Sequence, residues 1–456
     1  MSRSVQPPIF SRRRFIQTLG GLPLVGLVKF AHAAPRRDVV VLTSYPDELV
    51  SRFEAAFEKA NPDWRLRVIW REGRDAMSIL RQTGTESIDV YWSPSPRTFE
   101  RLKAEHLLQK LDIDRANLPG RIGNTQIDDA DGYYAAFEVA GFGFAVNPAY
   151  LKEHGLPEPQ DWIDLADPRY AGHLSLPNPF RVGFAIVIPD IPLQAYGWEK
   201  GWAMWSAVVA NAKLAQRGGT FVTDEVSNRL GIGISIDFFV AGAIAKGASL
   251  RFIYPKHGGV NPAPIGILAG SKNPEGARAF VSFALSEAGQ RLLIHPDIRR
   301  LPVRPDVYPN IGADYFNPFA AAAAGGFGYD AKRGLKRLPV LAALFNTCLI
   351  QRQEKLTALW PKVRKLEGAR KEEAVRLLSS VPLTEAQADQ EDLQRLFASH
   401  YDDRQTAFFT GRDQDKKATP AKDARQTDSK TALLESEWAK ETDARLARVE
   451  KLLAQS

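Results

Sequence analysis

Val39-Val40-Val41-Leu42-Thr43, Leu66-Arg67-Val68-Ile69-Trp70 and Ile88-Asp89-Val90-Tyr91-Trp92 are three short runs rich in β-branched and aromatic residues, and what lies between them decides the fold. The first reads as a buried parallel strand that stops at Ser44-Tyr45-Pro46-Asp47. Leu49, Val50, Phe53, Ala56 and Phe57 then recur on one helical face, and Asn61-Pro62 ends that helix. After the second run Gly73 turns the chain, and Asp75 is placed to cap a helix through Met77, Leu80 and Arg81. Two βαβ crossovers in so short a stretch predict α/β architecture, with a parallel sheet covered by helices.

Working outward, Tyr133 to Asn147 is apolar and aromatic, and Gly141 and Gly143 break its regularity. It reads as two short strands with a crossing between lobes. Residues 148–260 return to α/β character. Asp161-Trp162 begins a helix, His173 to Leu176 is a strand, and Trp198 to Leu214 is an amphipathic helix. Gly231 to Asp237 is a strand that ends in a polar loop, followed by a helix through Ala245. Ala263 to Leu268 reads as the strand that returns to the first lobe, and Pro274 opens a helix. Residues 338–400 are helical. Residues 411–431 are dominated by Asp, Lys, Thr, Gln and Ala and read as a flexible linker. Residues 432–456 form a last amphipathic helix.

The N-terminus points to export. Ser11-Arg12-Arg13-Arg14-Phe15-Ile16 follows the twin-arginine pattern, Leu19 to Val28 is a short apolar core, and Ala31-His32-Ala33 is a small-x-small cleavage site. The apolar core is about half the ~20 residues a membrane-spanning helix needs. No cysteine follows it, so lipid anchoring there is not expected and the cleaved protein is expected in the periplasm. The whole chain carries 60 Lys plus Arg against 53 Asp plus Glu, or +7. Five of the basic residues (Arg3, Arg12, Arg13, Arg14, Lys29) and no acid lie in residues 1–33, which leaves 55 against 53, or +2, in the mature chain. So small a residual charge is no sign of nucleic acid as a partner. A lone cysteine, Cys348, rules out an intramolecular disulfide.

No catalytic motif is present: no Walker A loop, no Gly-x-Ser-x-Gly, and no third glycine after Gly141-Phe142-Gly143 or Gly231-Ile232-Gly233. The expectation is a binding protein, not an enzyme, with no cofactor. An unfamiliar exported enzyme is the competing class.

Four segments carry a resemblance. They are the opening Val-Leu-Thr-Ser-Tyr-Pro, the crossing Gly143-Phe144-Ala145-Val146-Asn147-Pro148, the loop Leu176-Pro177-Asn178-Pro179-Phe180-Arg181-Val182-Gly183, and Ser271-Lys272-Asn273-Pro274-Glu275-Gly276-Ala277 with Ser286-Glu287-Ala288-Gly289-Gln290 after it. Over roughly residues 38–310 the chain resembles the type II periplasmic solute-binding proteins of ABC importers. It is similar to the branch that binds ferric ion, thiamine, phosphonates, phosphoglycerates and sugar phosphates.

The resemblance implies a two-lobed type II periplasmic-binding-protein fold with a C-terminal helical extension. The expected layout is a twin-arginine signal peptide (1–33), the first lobe (34–146), the second lobe (147–264) and a return to the first (265–319). A helical extension (320–410), the linker (411–431) and the final helix (432–456) follow. It also implies a small anionic ligand held by lobe closure, and a permease of an ABC transporter in the inner membrane as partner. The extension, which simple binding proteins seldom need, raises a second reading: a periplasmic sensor reporting to a membrane signalling protein.

Loops at the carboxyl ends of parallel strands are natural anion sites. Thr43, Ser44 and Tyr45 form the first, although Ser44 reads equally as a helix cap. Ser93 and Ser95 form the second, with Ser-Pro turn chemistry as the plain alternative. The third runs from Asn178 to Gly183: Arg181 offers a two-pronged guanidinium for a phosphate or carboxylate, and Gly183 lets backbone approach. Phe184 and Ala185 stand where the family often has hydroxyls, so a hydroxyl-built phosphate cage is poorer here. Asp237 with Phe238 forms the fourth, against the alternative that Asp237 caps the next helix. Thr220 and Thr223 are weaker candidates. For ferric ion, Phe238-Phe239 occupies the place of the family's tyrosine pair, so no metal ligands are assigned.

Overall fold

A computed structural model describes residues 36–71, 75–81, 88–179, 182–215, 220–312, 315–398 and 422–455. The signal peptide read at residues 1–33, Arg181, and the linker as far as residue 421 lie outside the described residues.

The first lobe begins with β1 (Arg37–Thr43), α1 (Asp47–Ala60), β2 (Trp64–Trp70), α2 (Ala76–Arg81), β3 (Val90–Trp92) and α3 (Pro96–Ala104). β1 lies between β2 and β3 and pairs parallel with both, as the two crossovers require. A small antiparallel hairpin, β4 (Arg121–Ile122) and β5 (Thr125–Gln126), precedes β6 (Ala135–Val146).

β6 is one continuous strand of 12 residues, buried throughout, and not the two short strands that the two glycines suggest in the sequence. A Cβ at Gly143 would lie 2.2 Å from the carbonyl oxygen of Ile253, and one at Gly141 would lie 2.4 Å from Cε1 of Tyr254. These glycines mark close passage of the returning chain, not a break in the strand. The pairing of β6 changes along its length, and this makes the two lobes.

The second lobe comprises α4 (Pro148–Glu153), β7 (Leu174–Pro177), α5 (Asp190–Tyr196), α6 (Trp198–Asn211), β8 (Ala212–Ala215), α7 (Thr220–Asn228), β9 (Ile232–Ile236), α8 (Asp237–Ala245) and β10 (Arg251–Ile253). β7 lies between β8 and β9, parallel to both. The helix read through Leu214 stops at Asn211, whose amide donates to the carbonyls of Leu165 (3.0 Å) and Asp167 (2.9 Å), and the next four residues turn into β8.

The chain returns through β11 (Val260–Ile267), which pairs antiparallel with β6 and β3. Then come α9 (Pro274–Leu285), α10 (Glu287–Leu292) and β12 (Leu301–Pro302), the last beside β6. The strand order is β2-β1-β3-β11-β6-β9-β7-β8. The quoted return motif has physical work to do. Asn273 caps α9, Ser286 caps α10, and buried Gln290 donates to the carbonyl of Phe137 on β6 (2.8 Å) while accepting from the Val303 amide (2.8 Å).

The C-terminal region adds α11 (Pro318–Ala323), α12 (Ala331–Cys348), α13 (Gln353–Val363), α14 (Gly368–Ser379), α15 (Glu385–Ala388) and α16 (Lys422–Ala454). This C-terminal helical extension shares one apolar cluster with the second lobe. Trp202 and Trp205 of α6 pack on Phe345 and belong to the same cluster as Leu359, Leu378, Trp438 and Val449. The Trp360 indole donates to Ser206 Oγ (3.0 Å), which itself donates to the Leu378 carbonyl (2.7 Å). Arg337 and Asp190, both fully buried, pair across the junction. α16 begins at Lys422, inside the stretch read as linker: its Lys, Ala, Arg and Gln residues have ample helix propensity once the packed part of the helix nucleates it.

Candidate functional site

At the ends of β1 and β3, the Ser44 and Ser93 hydroxyl oxygens are 2.7 Å apart. Ser95 Oγ and Thr98 Oγ1 form a second such pair, also at 2.7 Å, at the start of α3. Thr43 and Tyr45, read with Ser44 as ligand contacts, are instead buried and occupied: Thr43 Oγ1 accepts from the Tyr45 amide (3.1 Å) and the Tyr45 hydroxyl donates to Glu138 (3.0 Å). Their side chains belong to the lobe's interior.

In the second lobe Asn178 is buried at the end of β7, and its carbonyl accepts from Val182 (2.9 Å). Gly183 opens a short 3-10 turn, Gly183–Val187. Thr220 is exposed at the start of α7, whereas Thr223 is buried and donates to the Thr220 carbonyl (2.7 Å). Asp237 makes no side-chain cap on α8. Its Oδ2 accepts from the Gly141 amide (2.7 Å) and the Tyr254 hydroxyl (3.0 Å), so it ties α8 to the crossing strand. Burial raises its pKa to about 7, with those two hydrogen bonds working the other way.

Three residues that the sequence reading did not single out complete this junction: Glu138, Arg300 and Tyr254. Arg300 donates to Glu138 Oε1, and its guanidinium lies 4.9 Å from the Tyr45 ring and 4.4 Å from the Phe238 ring. Burial raises the Glu138 pKa despite that partner. Phe137 and Glu138 are neighbours on one strand, yet both reach Tyr45. A shift of register between Ala263 and Pro264 is the reason: a bulge there lets consecutive residues serve one face. An acid inside the run Tyr133 to Asn147 was the available sequence signal for Glu138. Arg300, next to Arg299, carried none.

Phe238 and Phe239 pack on each other, with ring centroids 4.4 Å apart. Their rings supply no oxygen to a metal. Among the described residues no group of three or more His, Cys, Asp or Glu side chains is arranged to hold one.

A cavity of about 400 Å³ opens where the lobes meet. Pro96, Glu100 and Lys103 of α3 line it on one side, and Val187, Lys332, Leu335 and Lys336 on the other, with Asn261 and Pro262 of β11 between them. Among the described residues none of the predicted contacts lines it, although Pro96 follows Ser95 in the chain and Val187 ends the turn that Gly183 opens. A space walled by both lobes and crossed by the strands that join them suits capture of a small molecule by hinge closure.

Comparison with known proteins agrees with this architecture. The phosphoglycerate transport regulatory protein of Salmonella typhimurium is 26% identical over 367 residues, covering 78% of this chain and 88% of that protein. The Fe(3+)-binding periplasmic protein of Serratia marcescens is 23% identical over 295 residues, covering 61% and 84%. Among solved structures, iron-bound HitA from Pseudomonas aeruginosa superposes with a TM-score of 0.52 at 19% identity, over 68% of this chain and 99% of its own. The spermidine/putrescine ABC transporter substrate-binding protein from Streptococcus pneumoniae gives 0.55 at 15% identity, over 68% and 99%. These two establish the fold alone. The sequence pattern of the bacterial extracellular solute-binding proteins matches residues 86–314, half of the chain, and the chain belongs to that family of solute-binding proteins of the ABC-importer type.

Proposed function

We propose that this chain is the periplasmic component of an ABC importer that captures a small phosphorylated organic anion, such as a phosphoglycerate, a sugar phosphate or a phosphonate. The cavity of about 400 Å³ walled by both lobes carries the reading, because it gives a small solute a place where closure buries it. The length of the match to the phosphoglycerate transport regulatory protein supports a phosphate ester over a metal or a polyamine. Ser44, Ser93, Ser95, Asn178, Arg181, Gly183, Thr220 and Phe238 are the proposed contacts at the strand ends. β6 and β11 are the hinge, and the closed form is what the inner-membrane permease recognises. Binding and release are the whole chemistry, with no bond made or broken.

One observation favours a second reading, that of a periplasmic sensor. The relative is named a regulatory protein, and a match to 78% of this chain is more than residues 1–319 can supply, so it takes in part of the C-terminal helices.

A thermal-shift panel tests the first reading. Phosphoglycerates, sugar phosphates, phosphonates, thiamine phosphate, spermidine and ferric citrate are each added to the purified protein. A phosphorylated compound at ~100 times its Kd stabilises by ~2.7 kcal/mol. A response to spermidine or ferric citrate alone, or to nothing, contradicts the reading.

A further inference from the structure

We propose that Lys332 and Lys336 of α12 are the anion-binding wall of the interlobe cavity, so that the C-terminal helices complete the solute site. The inference rests on the reading of the solute as a small phosphorylated anion, and it adds where the neutralising charge resides.

By composition the cavity wall is acidic, with Glu100, Asp128, Asp129 and Asp131 facing it. Every one of those carboxylates is already engaged. Asp128 accepts from Arg115 (2.9 Å) and from the Ala136 amide (2.8 Å). Asp129 and Asp131 share Lys103, and Glu100 accepts from the Tyr134 hydroxyl. The hydrogen bond from Lys103 lowers the Asp131 pKa, and Lys332 adds a small effect in the same direction without forming an ion pair. Lys332 and Lys336 are exposed, and among the described residues neither has a hydrogen-bond or ion-pair partner. The cationic hydrogen-bond donors that the wall has left to offer are therefore the two ammonium groups of Lys332 and Lys336.

The helix that carries these lysines is held by a different face. Arg333 bonds to Glu385 (2.8 Å) and to Asp389, and Arg337 is buried against Asp190. Two arginines four residues apart fix α12. Two lysines four residues apart, one position earlier, are left beside the cavity, and residues at that spacing lie close together on a helix surface. Between them they can grip one phosphate or carboxylate group. The side chains of Gln126 and Asn261 also line the cavity without a hydrogen-bond partner among the described residues, and they suit the hydroxyls of such a solute. Val187, Leu335 and Leu338 offer an apolar surface to its carbon frame.

Titration calorimetry with 3-phosphoglycerate, and with inorganic phosphate as the minimal probe, tests this on the full chain. Losing two charged hydrogen-bond donors from the site weakens binding by at least about tenfold in K332Q/K336Q. K332R/K336R retains most of the affinity. Lys362→Gln, removal of one lysine charge at an exposed site on α13, leaves it unaltered. The melting temperature of K332Q/K336Q stays at the wild-type value, because neither lysine holds another group of the protein. If wild type binds either probe and K332Q/K336Q binds it equally well, this inference falls and the anionic-solute reading stands. If wild type binds neither probe and no phosphorylated compound shifts its melt, or if it binds spermidine instead, both fall together.

Discussion

Arg300, from the segment that returns to the first lobe, holds its guanidinium 4.4 Å from the ring of Phe238, the second residue of α8 in the second lobe. The same guanidinium donates to buried Glu138 on the crossing strand. One side chain therefore joins both lobes at the hinge. Removing its charge leaves Glu138 buried without a counter-charge, the costly half of a broken ion pair. Arg300→Gln is expected to destabilise the protein by ~3–5 kcal/mol, and adding Glu138→Gln to recover a large part of that loss. A double-mutant cycle in urea measures the recovery, and additive losses would show the pair to be uncoupled.

Asp237 sets a pH dependence of defined sign. Its folded pKa, raised by burial to about 7, lies above the ordinary aspartate value of 3.8. The folded state therefore favours the protonated form, and this group's contribution is complete below about pH 4 and is lost as pH rises towards 7. Asn can accept the same two hydrogen bonds without the charge. Asp237→Asn should flatten the stability profile between about pH 4 and 7 and stabilise the protein at pH 8, with an upper bound on the order of 4 kcal/mol. Denaturation midpoints at four pH values read this directly. An unchanged slope would mean that Asp237 titrates as an ordinary carboxylate.

The glycines of β6 are required by the chain that crosses them. With the Ile253 carbonyl oxygen 2.2 Å from the place of a Cβ at Gly143, backbone must move to admit an alanine. Gly143→Ala should cost ~1–3 kcal/mol, and Gly242→Ala, where a Cβ meets nothing within 4 Å, should be neutral or stabilising. Equal midpoints for the two variants would refute the crowding.

Trp438 of α16 is buried and stacks on Phe397 at 5.3 Å. Trp438→Ala should cost ~3–5 kcal/mol, the usual loss for a large core aromatic. Because the cluster is shared with α6, that loss should appear in unfolding of the whole second lobe and not as melting of a separate tail. A distinct early transition would contradict this. For the same reason, deleting residues 320–456 would strip core from the second lobe, so it cannot separate a sensor from an importer component.

Much of the architecture was legible in the sequence because it rests on local signals. Val39–Thr43 and Ile88–Trp92 announce buried parallel strands, and Asn273 and Ser286 announce the helix starts that they cap. Less legible was whatever depends on chain segments distant in sequence. Gly141 and Gly143 looked like breaks because their reason, the Ile253–Tyr254 segment, lies more than a hundred residues further on. Tyr45 looked like a loop residue because Glu138, which accepts from its hydroxyl, belongs to another strand. Lys332 and Lys336 carry no signal in the sequence, since nothing local says that α12 is fastened beside the cavity by Arg333 and Arg337.

Capture of a phosphorylated anion between the lobes can be read from calorimetry of the purified protein with 3-phosphoglycerate and with glycerate, its dephosphorylated counterpart. Saturable one-to-one binding of 3-phosphoglycerate is expected and, with the charge-assisted phosphate contacts gone, at least about a hundredfold weaker binding of glycerate. Equal affinity for the two compounds, or no heat with either, would contradict it.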